Sequence, residues 1–298
     1  MSINREHQLL TIALPKGSLQ EQTLLLFAEA DLPVKRSARE YTVTIADERI
    51  SAVKILRPQE IPKYVEEGHF DLGISGLDCI TESGADVVEV ADMPYAKTGA
   101  GAMQLVIAVP EDAAVQAAAD IGPGSRVTTE FPNITRKYFE GLGIEVDVFY
   151  SYGATEAKVP ELMDVVVDLT ETGSTLRRNR LKIVDTIMES TTKLIANKAS
   201  WEEPEKRKAM EEVRTLLLGV IDARGQVLLS MNVAKGKLDG VVAALPAMKR
   251  PTVAPLYSSD YFEVTTVVEK SSVNVIIPKL KEMGAEDILE MPISKIVR

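Results

Sequence analysis

The chain opens on an apolar run, LLTIAL, then a polar break at Pro15-Lys16-Gly17-Ser18, then apolar residues at helical spacing, Leu19, Leu24 and Phe27. A buried strand, a loop and a helix with Ser18 as its N-cap make the start of an α/β unit. The alternation continues. YTVTI and ISAVKIL flank a turn near Asp47-Glu48 and predict a hairpin. IPKYVEEG predicts a short amphipathic helix stopped at Gly68, FDLGISG a short buried strand, LDCITESG a helix and VVEVADM a strand. After the glycine-rich break KTGAG the pattern restarts. MQLVIAVP (103–110) predicts a central strand, residues 111–120 an Ala-rich helix, and SRVTTEF a strand. PNITRKYFEGLG predicts a helix between Pro132 and Gly141, IEVDVFYSYG a strand, EAKVPELM a short helix, and DVVVDL a strand.

Alternating strands and helices through residue 185 predict parallel or mixed sheets flanked by helices, arranged as two lobes around a cleft. KIVDTIMESTTKLIANKA (182–199) reads as extended chain returning to the first lobe, and residues 202–223 as a long charged helix. The tail changes register. Strands at 227–233, 252–258, 261–270 and 285–297, with helices at 236–245 and 272–284, give the order βαββαβ, a ferredoxin-like module. The expected division is residues 1–98 with 182–222 in one lobe, 99–181 in the second, and 223–298 in the appended module. Such a module points to regulation or oligomerisation.

Composition narrows the function. Net charge is −10 and aromatic residues are 5% of the chain, which disfavours a nucleic-acid partner by both backbone repulsion and lack of stacking platforms. No run approaches a membrane span. One cysteine, Cys79, allows no internal disulfide, and with His7 and His69 it cannot build a typical zinc site. A cytoplasmic, reduced setting is the expectation, and Cys79, His7 and His69 are assigned no role.

DLTETGSTL (168–176), directly after MDVVV, carries the most distinctive chemistry. Gly173 permits φ > 0, successive backbone N–H groups can point into one turn, and Thr172, Ser174 and Thr175 can donate hydroxyl hydrogen bonds. This is an anion cradle without the G-K-[ST] element of a P-loop. Asp168 can accept from vicinal hydroxyls of a phosphorylated ribose. The alternative is local: Asp168 caps the helix and the hydroxyls satisfy nearby backbone.

The stretch resembles the phosphoribosyl-pyrophosphate (PRPP) loop of phosphoribosyltransferases, with Asp168-Leu169 where the common type has two adjacent acids. Its nearer likeness is to the ATP phosphoribosyltransferases of histidine biosynthesis, which show D-L-x-x-T-G-x-T-L. ALPKGSL (13–19), LRPQEIPKYVEEGHFDLGISGLD (56–78), TEFPNITRKYF (129–139) and RPTVAPL (250–256) resemble further segments of that family in the same order. The tail resembles the long form with its histidine-sensing domain.

The resemblance implies a two-lobed α/β core like that of periplasmic binding proteins, plus the ferredoxin-like domain. It implies transfer of the phosphoribosyl group from PRPP to N1 of the adenine of ATP, Mg²⁺ held mainly by the substrates, histidine as allosteric inhibitor, and homo-oligomers, hexamers and dimers. The candidate PRPP residues are Asp168, Thr170, Glu171, Thr172, Gly173, Ser174, Thr175 and Leu176. The candidate ATP residues are Lys16, Gly17, Leu19, Arg39, Arg57, Asp78 and Glu130, with Lys16 and Arg57 as catalytic cations. Asn232 and Thr252 are the candidate histidine contacts. Thr129 and Asn133 accompany Glu130 at a strand-to-helix turn and read equally well as caps. Asp71 reads as structural, and Lys35 and Arg36 as surface ion-pair residues. Three other readings stay open: a solute-binding module, an idle regulatory subunit, and a PRPP transferase acting on another base.

Overall fold

The structure, a computed structural model, describes residues 10–35, 42–95, 103–245 and 250–298. His7, Arg36, Arg39 and the KTGAG break lie outside the described residues. The chain divides into two compact units, residues 1–214 and 215–298.

In the first unit, β1 (Leu10–Pro15), β2 (Val34–Lys35), β3 (Thr42–Ile45), β4 (Ile50–Leu56), β5 (Leu72–Gly76) and β6 (Val88–Met93) are followed by β7 (Met103–Pro110), β8 (Arg126–Thr129), β9 (Asp147–Tyr150), β10 (Val165–Thr170), β11 (Leu181–Ser190) and β12 (Thr192–Ala196). They form a seven-stranded sheet, β2-β3-β4-β1-β5-β12-β6, and a five-stranded sheet, β11-β7-β10-β8-β9. The helices are α1 (Gln20–Glu29), α2 (Ile61–Glu66), α3 (Leu77–Ser83), α4 (Pro132–Leu142), α5 (Ser174–Arg178), α6 (Lys198–Glu202) and the start of α7 (Pro204–Ala223).

The continuous apolar runs of β7 and β10 follow from burial on both faces. Leu105, Ile107, Val165 and Val167 pack into a core with Phe131 and Phe139, while Val106, Ala108 and Val166 point the other way onto Val159, Leu176 and Leu181.

Return to the first sheet occurs later than residue 182. β11 pairs antiparallel with β7 in the five-stranded sheet, and only β12 pairs with β5 and β6. The crossover is therefore Ser190–Thr192, and α6 already begins at Lys198.

Several local expectations change. Ser18 is not an N-cap: a 3-10 turn, Gly17–Leu19, precedes α1. Residues 111–120 form no α-helix, only a 3-10 turn at Ala118–Asp120, because the Asp120 carboxylate takes the N–H groups of Gln116 and Ala117 at 3.0 Å each. EAKVPELM also yields only a 3-10 turn, since Pro160 holds Val159 extended. Helix α4 runs through Gly141 and is stopped by Gly143 at φ +70°, where Ile144 N–H returns to the Phe139 carbonyl.

The second unit contains β13 (Gln226–Ala234), α8 (Leu238–Ala244), β14 (Thr252–Pro255), β15 (Tyr261–Glu269), α9 (Val273–Glu282) and β16 (Ala285–Pro292). The order β14-β15-β13-β16, antiparallel throughout, is the ferredoxin-like topology read from the pattern. Leu229, Met231, Val233, Val264 and Val268 face α8 and α9 in its core. The unit begins inside α7 rather than at residue 223, because the end of that helix packs on the tail: the Ile296 N–H donates to the Gly219 carbonyl at 2.8 Å.

Candidate active site

The parallel strands β1, β4 and β5 end side by side, as do β8 and β10. Loops at such strand ends are where α/β proteins hold ligands. A cavity of about 270 Å³ lies there, and both sheets contribute to it: Ser18, Leu19, Pro58, Gln59, Gly76, Asp78, Cys79 and Tyr95 from the first, Met103, Glu130, Phe131, Asp168 and Leu169 from the second, and Ser190–Thr192 from the crossover.

Of the candidate residues, Leu19, Asp78, Glu130 and Asp168 line this cavity. Lys16 and Gly17 immediately precede Ser18, and Arg57 precedes Pro58. Register pairs Pro15 with Leu56, and the Lys16 N–H donates to the Leu56 carbonyl at 2.6 Å, so Lys16 and Arg57 emerge side by side, both exposed.

Asp168 does not cap α5. Among the described residues its carboxylate accepts the N–H of its neighbour Leu169 alone, at 2.8 Å. Burial, with added repulsion from Glu156 and Glu130, pushes its pKa up to about 6. In the loop that follows, Thr170 does serve the local backbone, its hydroxyl accepting the Gly173 N–H at 2.8 Å. Gly173 is in the left-handed region at φ +68°, and a Cβ there would stand 3.0 Å from Arg177 Nη1 and 3.2 Å from Ile183 Cδ1. Glu171, Thr172, Ser174 and Thr175 are exposed at the loop tip, whereas Leu176 is a core residue that pins α5 to the sheet.

Asp78 is buried at the start of α3. It receives the Ser190 hydroxyl at 2.5 Å and the Cys79 thiol at 3.3 Å, and its N–H donates to Ser190 Oγ at 3.0 Å. Burial and the Asp78 carboxylate push the Cys79 thiol far up, so it is inert at neutral pH. At the β8–α4 turn, Thr129 Oγ1 accepts the Phe131 N–H at 2.9 Å, and Asn133 donates its side-chain amide to the Glu82 carbonyl at 3.0 Å; both serve the backbone.

Asp71 is structural. Thr11 N–H and hydroxyl, at 2.7 and 2.8 Å, and the Ser200 hydroxyl, at 2.7 Å, donate to it, with Lys206 Nζ at 3.1 Å. Burial acts to raise its pKa, but these donors outweigh it and hold the carboxyl below its ordinary value. Lys35 is exposed, and His69 lies at the surface beside Glu67.

Sequence reasoning missed Gln59, Tyr95, Glu156 and the crossover hydroxyls Ser190–Thr192. Tyr95 is buried with its hydroxyl 2.8 Å from Thr23 Oγ1, a pairing across 72 positions that no local signal carries. The run SerThrThr inside an otherwise apolar-alternating stretch was a usable signal of a break between sheets.

In the second unit, Asn232 and Thr252 do not meet, because β15 lies between their strands. Asn232 faces Glu263 and Thr252 faces Thr265, and these two positions of β15 share a face of the sheet. Glu263 Oε1 accepts from Ser230 at 2.7 Å and from Thr265 at 3.2 Å, and Asn232 donates to Asp287 at 2.9 Å.

The sequence profile described as ATP phosphoribosyltransferase (HisG) matches residues 57–219, and that described as HisG, C-terminal domain, matches residues 223–295. The chain belongs to the ATP phosphoribosyltransferase family. It is 46% identical over 288 residues to the ATP phosphoribosyltransferase of Pelotomaculum thermopropionicum, covering 97% of this chain and 99% of the relative. Identity to that of Chlorobaculum parvum is 44% over 295 residues, covering 99% and 100%. A solved chain of the ATP phosphoribosyl transferase (HisG:HisZ) complex from Thermotoga maritima superposes with TM-score 0.63 at 26% identity, over 72% of this chain and 99% of that one. The chain is thus an enzyme, a pentosyltransferase of the long-form family, with ATP and PRPP as substrates and the first step of histidine biosynthesis as its place.

Proposed function

We propose that the cavity between the two sheets is where ATP and PRPP react, with the second sheet holding PRPP. The observation that carries this is the union of both sheets' strand ends at one cavity, with Asp168 lining it immediately before the hydroxyl-rich loop. Asp168 accepts hydrogen bonds from the ribose hydroxyls, while the Thr172–Thr175 N–H and hydroxyl groups take the 5-phosphate. Lys16 and Arg57 supply cationic charge to phosphates, with Arg39 assigned the same role by resemblance. Glu130 accepts from the adenine amino group.

Adenine N1 already carries a lone pair. It bonds to ribose C1 as the C1–O bond breaks, and the bonding pair leaves on pyrophosphate. The protein's task is to align the two reactants and offset the developing charges. Among the described residues no cluster of three or more His, Cys, Asp or Glu side chains is arranged to hold a metal. The oxygen donors Glu130 and Asp168 at the cavity do fit Mg²⁺ retained chiefly by substrate phosphates and water. Bound there, it would neutralise phosphate charge.

The division of labour assigns the unit of residues 1–214 to catalysis and that of residues 215–298 to feedback by histidine. The polar strip of Ser230, Asn232, Thr252, Glu263 and Thr265 supports histidine recognition: Glu263 suits the ammonium, and the hydroxyls suit the carboxylate or imidazole. Homo-oligomers, dimer and hexamer, and a cytoplasmic setting belong to the same reading. No helix among the described residues is long and apolar enough to cross a membrane.

The test is a product assay. Incubated with Mg²⁺, ATP and PRPP, the chain should yield phosphoribosyl-ATP and pyrophosphate by mass spectrometry, and free histidine should suppress the yield. Product insensitive to histidine would remove the feedback role, and absence of product would remove the reaction.

A further inference from the structure

Helix α3 stands on the first sheet and α4 on the second, and the two pack against each other. α3 carries two acids four residues apart, Asp78 and Glu82, and this spacing places them on one face. Both reach the elements of the second sheet. Asp78 receives the Ser190 hydroxyl at the end of β11. Glu82 receives the backbone N–H of Asn133 through both carboxylate oxygens, at 2.9 and 3.1 Å, and that of Ile134 at 2.9 Å; the Asn133 side chain closes the contact on the Glu82 carbonyl.

The first N–H groups of a helix have no acceptor within it. α4 starts at Pro132 behind Phe131, a residue that offers no side-chain cap. Its N-terminus is therefore completed from the other sheet. The turn so held, Thr129–Asn133, is the one that carries Glu130 and Phe131 into the cavity.

We propose that Glu82 is a positioning residue for the transfer reaction, a latch that sets the distance between the two walls of the substrate cavity by capping α4 from α3. This rests on the assignment of the cavity to ATP and PRPP. Burial raises the Glu82 carboxyl above its ordinary value against the opposing pull of the Ile134 and Asn133 N–H groups and of Arg136, which agrees with a group enclosed between elements. Glu82 does not line the cavity itself, so it acts through the placement of the wall that the Thr129–Asn133 turn carries, Phe131 as well as Glu130.

The experiment uses the full chain with Glu82→Gln, Glu82→Ala and, separately, Glu130→Ala. Steady-state KM for ATP is read beside amide hydrogen exchange at Asn133 and Ile134. Glu82→Ala should speed exchange at both amides and raise the KM for ATP about tenfold, the loss of one charge-assisted hydrogen bond. Glu82→Gln, which keeps one acceptor, should fall between it and the parent. A purely structural contribution would lower the melting temperature and the active fraction but leave KM as it was; KM within twofold of the parent in Glu82→Ala would overturn the proposal. Glu130→Ala probes the underlying reading apart from the latch. If it leaves KM for ATP unchanged while Glu82→Ala raises it, the Glu130 assignment is lost and the latch stands. The reverse pattern removes the latch alone.

Discussion

Asp168 follows three buried valines, Val165–Val167, in β10, and this decides its chemistry. The apolar run that makes β10 a core strand also desolvates its last acid, and Glu130 and Glu156 add repulsion. A carboxylate with few protein donors is ready to accept ribose hydroxyls, but only when ionised. With a pKa raised to about 6, it loses that charge as the pH falls through this value. Its ionisation should therefore add a declining limb to kcat/KM for PRPP below about pH 6, where an Asp at the ordinary 3.8 would add none until about pH 4. The phosphate of PRPP also ionises near pH 6, as phosphate monoesters do. A pH–rate profile of the parent beside Asp168→Asn separates the two. The limb owed to Asp168 disappears in the variant, and identical profiles would show that it was never there.

At the scale of elements, the strands were legible and so were the short helices α2, α3 and α8, whereas residues 111–120 and EAKVPELM were not. Runs such as MQLVIAVP announce burial on both faces, which only a sheet interior between helices provides. EDAAVQAAAD has the composition of a helix, yet its core contacts come from Ala113, Val115, Ala118 and Ile121, a spacing that is not helical, and a segment so short has little helical stability of its own. The turn in DLTETGSTL was legible because its glycine takes the left-handed position, φ +68°. Gln59 and Tyr95 were not, since the sheet order alone brings them to the cavity. Asp71 shows how such distant elements are joined: it lies at the start of β5 and collects donors from β1, α6 and α7. Asp71→Ala leaves those donors without their acceptor and should lower stability by about 3 kcal/mol. Because the folded pKa is depressed, the parent's advantage is present above about pH 4 and shrinks as the pH falls through the lower folded value. Chemical denaturation at neutral and acid pH checks both, and an unchanged midpoint would contradict the network.

At the scale of the whole molecule, the two polyanionic substrates are proposed to divide between the two sheets. We propose that Lys16 and Arg57, side by side at the ends of β1 and β4, serve the first wall, and Asp168 and its loop the second. In an acidic chain of net charge −10, the paired placement of Lys16 and Arg57 at strand ends offers local positive charge for such ligands. The ferredoxin-like unit carries a polar strip of Ser230, Glu263 and Thr265 on its own sheet, which supports the proposed histidine site. The most direct measurement is substrate-resolved: kcat/KM for PRPP and the Kd for ATP in the Asp168→Asn variant against the parent. The account predicts a loss of about a hundredfold for PRPP, as two charge-assisted hydrogen bonds would give, with ATP affinity nearly unchanged. Equal losses for both substrates would contradict the assignment of PRPP to the second sheet.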